Sequence, residues 1–117
     1  MHKLVILIEP PEDYAALEET WPQFLHLAER MPGLRRESTS RVDGVLYGSV
    51  DCAIIHELYF DSLAAIKEAM SSPEGQAAGE LLQRMTAGRM TLLYADHKED
   101  NLENIQRYRR PEPDDES

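Results

Sequence analysis

Residues 52–60 have the sequence CAIIHELYF, from which the predicted fold follows. It is rich in β-branched and aromatic residues, which is typical of a β-strand. Neighbouring residues of a strand point to opposite faces, so Ile54 lies on one face and Ala53 and Ile55 on the other. Residues 3–8 (KLVILI) are apolar on both faces in the same way. Strands of this kind need cover on both sides.

A helix is predicted between these two strands. Apolar residues recur there at steps of three and four, which predicts one buried stripe: Tyr14, Leu17, Trp21, Phe24, Leu25 and Ala28. Pro22 interrupts the stripe and removes a backbone donor, so we expect either a kink or a restart with Thr20 as the cap. The pair Pro32-Gly33 predicts the end of this segment.

Three further segments lie around the strand at residues 52–60. Residues 34–43 alternate and are polar, which predicts an exposed or edge strand. Asp43-Gly44 indicates a turn, after which residues 45–50 are predicted to form an irregular hairpin arm. Residues 89–96 predict the last strand of the domain.

The second helical region is predicted to consist of two helices. Asp61 or Ser62 is expected to cap a short first helix. Ser71 and Glu74 have the spacing of a capping box, which predicts the start of the second helix.

The predicted order of elements is βαββαβ, the ferredoxin-like α+β pattern with a four-stranded antiparallel sheet. Its helices cover only one sheet face, yet both central strands are apolar on both faces. We therefore predict a homodimer in which the sheet face of one copy covers that of a second. Residues 1–97 form the predicted domain. Residues 98–117 form a polar extension, with a helix at residues 101–110 and a disordered acidic end.

Composition restricts the classes of function. The chain has 117 residues, the size of one domain, and a formal net charge of -10. This charge disfavours binding to nucleic acids and to anionic membranes. Its single cysteine excludes an internal disulfide. No apolar run reaches the length of a membrane span, and we expect a cytoplasmic protein.

No catalytic signature and no metal-ligand spacing occurs in the sequence, so we predict no metal site and no cofactor. His56 shares a strand face with Ile54 and Leu58 and therefore points into an apolar layer. Such a histidine is either a core residue satisfied by hydrogen bonds or a general base beside a cavity. Trp21, Tyr59 and Tyr94 are candidates for lining a pocket for a hydrophobic or aromatic ligand. The competing interpretation is that these three aromatic residues are core residues.

Several blocks of the sequence resemble the ethyl tert-butyl ether degradation (EthD) family. They are residues 57–63 (ELYFDSL), 72–79 (SPEGQAAG) and 91–94 (TLLY), with Pro-Gly-Leu at residues 32–34. The resemblance implies a dimeric α/β-barrel of ferredoxin-like subunits, in an intracellular bacterial protein of poorly defined activity. Structural relatives implied by the resemblance include cofactor-independent monooxygenases, polyketide cyclases and muconolactone isomerases, which use the cleft between helices and sheet.

One position departs from the family pattern. Many members carry a histidine about eight residues before the Pro-Gly pair, where this chain has Phe24; His26 lies two positions later. Two hypotheses therefore remain open. The first is a cofactor-independent oxidoreductase, cyclase or isomerase with His56 as its base. The second is a non-catalytic ligand-binding or accessory homodimer. A closed interior without a cleft would favour a purely structural protein.

Overall fold

The computed structural model describes residues 1–99. The predicted helix at residues 101–110 and the acidic end lie outside the described residues. Seven elements follow one another in the order β1 (His2–Ile8), α1 (Tyr14–Ala28), β2 (Arg36–Arg41), β3 (Ile54–Phe60), α2 (Leu63–Ser71), α3 (Pro73–Thr86) and β4 (Met90–Asp96).

The four strands form one sheet in the order β2-β3-β1-β4, and every neighbouring pair is antiparallel. The two doubly apolar strands, β1 and β3, are the central pair. This arrangement confirms the predicted ferredoxin-like α+β fold. The edge strand β2 is the polar segment, as its alternating sequence predicted.

The helices cover one face of the sheet and form the core with it. The strand residues of this face are almost fully buried: Leu4, Ile6, Ile8, Ile54, Leu58 and Phe60. Helix α1 packs Leu17 and Phe24 against them, and α3 contributes Leu82. Burial of this apolar surface from water is the main force that holds the layers together.

No helix within residues 1–99 covers the opposite face of the sheet, which we call the open face. It includes the apolar residues Val5, Leu7, Ile55 and Leu93, which alternate with the core residues along their strands. Val5 is only 7% exposed because its neighbours in the central strands surround it. Leu93, on the edge strand β4, is 41% exposed. The expected apolar character of both faces is therefore present.

Helix α1 runs without interruption through Pro22. Its N-cap is Asp13, whose carboxylate accepts hydrogen bonds from the backbone N–H groups of Ala15 and Ala16. The predicted alternative of a restart at Thr20 is wrong, because the Thr20 hydroxyl instead donates to the carbonyl of Ala16 within the helix. Pro22 has no N–H, so it cannot donate to the carbonyl four residues before it.

Helices α2 and α3 meet at Ser72, and the predicted capping box at Ser71 is wrong by one residue. The Ser72 hydroxyl accepts from the backbone N–H of Gly75 at 3.0 Å and donates to the carbonyl of Ala69 at 2.6 Å. Pro73 then occupies the first helical position, where its missing N–H costs nothing. The serine before the proline is the cap because the residue before a proline is driven to extended backbone.

The predicted hairpin arm at residues 45–50 is also wrong, because β2 ends at Arg41 and β3 begins only at Ile54. Gly48 has a φ of 105°, which a regular strand does not allow. The side chains of Leu46 and Tyr47 are fully exposed in this connection. The segment between the two strands is therefore an irregular, apolar loop.

Candidate functional site

A cavity of about 290 Å³ lies between α1 and the sheet edge formed by β2 and β3. We call it the candidate cavity. Its walls combine apolar and aromatic side chains from α1 with side chains from the strands: Tyr14, Leu17, Glu18, Trp21, Pro22, Thr39, Arg41 and Ile54. Arg41 donates to the carboxylate of Glu18 at 2.9 Å, so the two charged groups of the wall neutralise one another. A largely apolar wall of this kind suits an uncharged ligand.

His56 lies directly behind this wall. It belongs to the helix-covered face of β3, and its side chain is 0% exposed. The imidazole packs edge-on against Trp21 and Phe24, with ring centroids 5.3 and 5.7 Å apart. The predicted position in an apolar layer is confirmed. His56 itself does not line the candidate cavity.

Both ring nitrogens of His56 are hydrogen-bonded to the neighbouring strand β2. The Nε2 atom lies 2.8 Å from Oε2 of Glu37, and Nδ1 lies 2.8 Å from Oγ1 of Thr39. An ionised carboxylate only accepts hydrogen bonds, so Nε2 carries the hydrogen and Nδ1 accepts from the Thr39 hydroxyl. We call these three residues the Glu37–His56–Thr39 triad.

The local sequence explains why the triad forms. Thr39 pairs directly with His56 in the antiparallel ladder, and Glu37 pairs with Leu58. Because side chains of a strand alternate, Glu37 and Thr39 fall on the same face and bracket the imidazole. A buried imidazole without such partners would cost free energy.

Burial lowers the pKa of His56 below its usual value near 6.5, because a charged imidazolium loses its hydration there. The hydrogen bond to Glu37, together with the negative charges of Glu37 and Glu57, opposes this shift only in part. The imidazole is therefore neutral at pH 7, and its Nδ1 atom can accept a proton.

Tyr59 points away from the candidate cavity, onto the open face. Its ring lies beneath the guanidinium of Arg36 at 4.0 Å and beside the ring of His97 at 4.9 Å. The adjacent Glu57 forms an ion pair with Lys3 at 2.6 Å. The hydrogen bond from Lys3 is the main cause of the lowered pKa of the Glu57 carboxyl.

Tyr94 lies at the far edge of the sheet. It pairs with Leu4 across the β1–β4 ladder, its side chain is 58% exposed, and two strands separate β4 from β2. The structure thus brings Trp21 and His56 together, but not Tyr59 or Tyr94. The predicted ligand-binding roles of these two tyrosines stay predictions, because neither residue lines the candidate cavity.

Sequence reasoning missed Glu37 and Thr39. The signal was present, because they alternate along a polar strand that must lie beside a strand containing a buried histidine. Only the register of the two strands could show that both side chains meet the same imidazole. Phe24, which stands where the family pattern has histidine, packs against this imidazole as part of the core.

Within residues 1–99, no three histidine, cysteine or acidic side chains converge as metal ligands would. No helix in this part of the chain has the length and apolar character needed to cross a membrane.

Comparisons with known proteins bear on the family and the fold. No protein-family model matches the chain. It is 27% identical over 99 residues to an uncharacterised 11.0 kDa protein of Rhodococcus erythropolis from the thcB–thcC intergenic region, and the match covers 84% of this chain and 96% of that protein.

Solved structures share the fold over most of their length. An EthD family protein from Bacillus halodurans is 29% identical, with a TM-score of 0.78 that covers 84% of this chain and 99% of the other. SnoaB, a cofactor-independent oxygenase from Streptomyces nogalater, is 13% identical with a TM-score of 0.63, covering 85% of this chain and 94% of SnoaB. Three others are described as dimeric ferredoxin-like proteins of unknown function. The resemblance to the EthD family is confirmed.

Proposed function

We propose that this EthD-like chain binds a small hydrophobic or aromatic compound in the candidate cavity. In this proposal it acts on the compound as a cofactor-independent enzyme, an oxidoreductase, cyclase or isomerase, in the cytoplasm of a bacterium. His56 serves as the base, and Trp21 forms an aromatic wall for the ligand. SnoaB, which shares the fold, is a cofactor-independent oxygenase.

One observation carries this proposal: a neutral, buried imidazole is hydrogen-bonded to a hydroxyl in the wall of an apolar cavity. A general base must be unprotonated at the working pH, and it needs a route to the proton that it removes. The candidate cavity is large enough for a small aromatic molecule. The charges of Glu18 and Arg41 neutralise each other in its wall, which favours an uncharged ligand over an ionic one.

The chain offers a direct assay of binding, because Trp21 is its single tryptophan. We expect 1-naphthol and 4-nitrophenol to quench the fluorescence of Trp21 in a saturable way. The Thr39→Trp variant, which fills the cavity from the opposite wall, should weaken this binding at least tenfold, as judged by isothermal titration calorimetry. The Ser40→Trp variant, which places the same side chain on the open face of β2, is the matched control and should bind as the wild type does. Equal loss in both variants, or no saturable binding, would contradict the proposal.

A second candidate function is a non-catalytic ligand-binding or accessory protein. The observation that favours it is the complete burial of His56, whose two ring nitrogens both have protein partners. Saturable binding, with no turnover of any bound compound under aerobic conditions, would support this function over the enzyme.

We also propose that the protein is a homodimer formed through its open faces. Leu7, Ile55 and Leu93 leave apolar surface on this face that a second copy would cover. Several proteins of the same fold are described as dimeric. Sedimentation equilibrium at micromolar concentration tests this proposal, and a monomer there would contradict it.

A further inference from the structure

Thr39 is the member of the triad that reaches the candidate cavity. Its side chain is exposed and forms part of the cavity wall, whereas the His56 imidazole is 0% exposed behind it. We infer that Thr39 is the catalytic residue that touches the ligand and passes its proton to His56, and that Glu37 is the positioning residue that holds the imidazole. This inference rests on the proposed function.

The hydrogen-bond directions already suit such a transfer. The Thr39 hydroxyl donates to Nδ1 of His56, so the lone pairs of Oγ1 are directed away from the imidazole. A ligand O–H or an acidic C–H that approaches from the cavity would meet these lone pairs. The other ring nitrogen, Nε2, already carries a hydrogen that it donates to Glu37. It therefore cannot take up the proton of the ligand.

The proton balance needs no other reactant. The bond from hydrogen to the carbon or oxygen of the ligand breaks, and that hydrogen forms a new bond to Oγ1 of Thr39. The original hydroxyl hydrogen of Thr39 passes to Nδ1 of His56 in the same step. The product is a ligand anion and an imidazolium that is paired with the carboxylate of Glu37. The reverse transfer returns the proton to the ligand at the same or another atom.

This chemistry defines a class of substrate. It is a small, largely apolar molecule with one ionisable hydrogen, such as a phenol or an aromatic compound with an enolisable carbonyl group. The loss of a proton from such a molecule is the first step of an isomerisation or of a cyclisation. Tyr14, Leu17 and Trp21 supply the apolar wall on the α1 side.

A Kemp elimination assay tests the inference with a defined probe, 5-nitrobenzisoxazole. This small aromatic molecule loses one C–H proton to a base, its N–O bond breaks, and the coloured 2-cyano-4-nitrophenolate forms. We expect the Thr39→Val variant to lose about 100-fold in kcat, in the range typical of general base catalysis, with little change in KM. The Thr39→Ser variant, which keeps the hydroxyl, should recover most of the rate.

The dependence on pH separates the positioning role of Glu37 from a merely structural role. The groups that face the imidazole are Glu37 from β2 and the uncharged rings of Trp21 and Phe24 from α1; Glu57 lies on the other face of its own strand. The rate should rise with pH as His56 loses its proton. The Glu37→Gln variant should move this rise to lower pH, because the carboxylate that favours the imidazolium is gone.

Three results would overturn the inference. The first is a Thr39→Val variant that keeps the wild-type rate, and the second is a Thr39→Ser variant that is as slow as Thr39→Val although both are folded by circular dichroism. The third is a wild-type protein that binds the probe, as shown by quenching of Trp21, but does not accelerate its elimination. In each case saturable binding of 1-naphthol would still support a ligand site in the candidate cavity, whereas loss of that binding would contradict the proposed function itself, so the two failures are distinguishable.

Discussion

The two faces of the sheet use the same strands in different ways. On the helix-covered face, one imidazole lies among apolar side chains, and two residues of β2 satisfy both of its nitrogens. On the open face, charged groups are clustered around Tyr59 and still contact water; the side chains of Lys3 and Glu57 are each 20% exposed. Among residues 1–99, the helices bury the covered face, whereas the open face keeps part of its surface exposed.

The Glu37–His56–Thr39 triad and the charged groups around Tyr59 lie on opposite faces of the sheet. Ser38 pairs with Glu57 on the open face, and the next pair of the same ladder, Thr39 with His56, faces the helices. The Ser38 hydroxyl donates to Glu57, and the Thr39 hydroxyl donates to His56. The adjacent residues Ser38 and Thr39 therefore belong to two hydrogen-bond networks on opposite faces of the sheet. The register of β2 against β3 thus sets the partners of both networks.

The largest expected effect comes from truncating a side chain of the covered face. The Leu58→Ala variant should lower the free energy of unfolding by about 3 kcal/mol, because Leu58 is buried in the core and its loss leaves a cavity. The Leu93→Ala variant on the open face should cost less than about 1 kcal/mol in the isolated chain. Urea denaturation measures both. If both variants lose a similar free energy of unfolding, the covered face is not packed more tightly than the open face.

A charge on the open face should have the next largest effect, on assembly. Leu92 and Leu93 are neighbours on β4 with exposures of 39% and 41%, but they point to opposite faces. The Leu93→Glu variant should weaken the dimer at least tenfold, about 1.4 kcal/mol, because it places a charge in an apolar interface. The Leu92→Glu variant is the matched control and should remain dimeric. Sedimentation velocity distinguishes them, and equal dissociation would argue against the open face as the interface.

The smallest effect concerns pH. The pKa of His56 is lowered in the folded chain. Just below pH 6.5, the histidine is therefore protonated more readily in the unfolded chain than in the folded chain. Stability should therefore fall as the pH drops below about 6.5. The low pKa of Glu57 acts in the same direction, but only below about 4.5. Thermal melts at pH 7 and 5.5 measure this, and the fall should be smaller in His56→Gln. A fall of equal size in that variant would show that His56 is not its source.

The sequence predicts the fold well, because residues 3–8 and 52–60 are apolar on both faces and the polar segment at residues 34–43 contains the edge strand β2. It also predicts that His56 lies in an apolar layer. It cannot predict the Glu37–His56–Thr39 triad, since the meeting of β2 with β3 depends on a register that no local pattern specifies. Tyr94 shows a related limit, because the aromatic character of a strand residue carries no information about which edge of the sheet its strand occupies.

Ser72 has a mechanical consequence for the helix layer. Its single hydroxyl ends α2 and begins α3, and a Cβ on Gly75 would lie only 2.1 Å from the carbonyl oxygen of Ala69. The two helices are therefore closely packed at this joint, and any side chain larger than that of glycine at position 75 would force them apart. A residue inserted within the first turn of α3 would rotate the rest of this helix by about 100° and turn Leu82 out of the core. The spacing between Ser72 and the core residues of α3 is therefore fixed by the contacts at this joint.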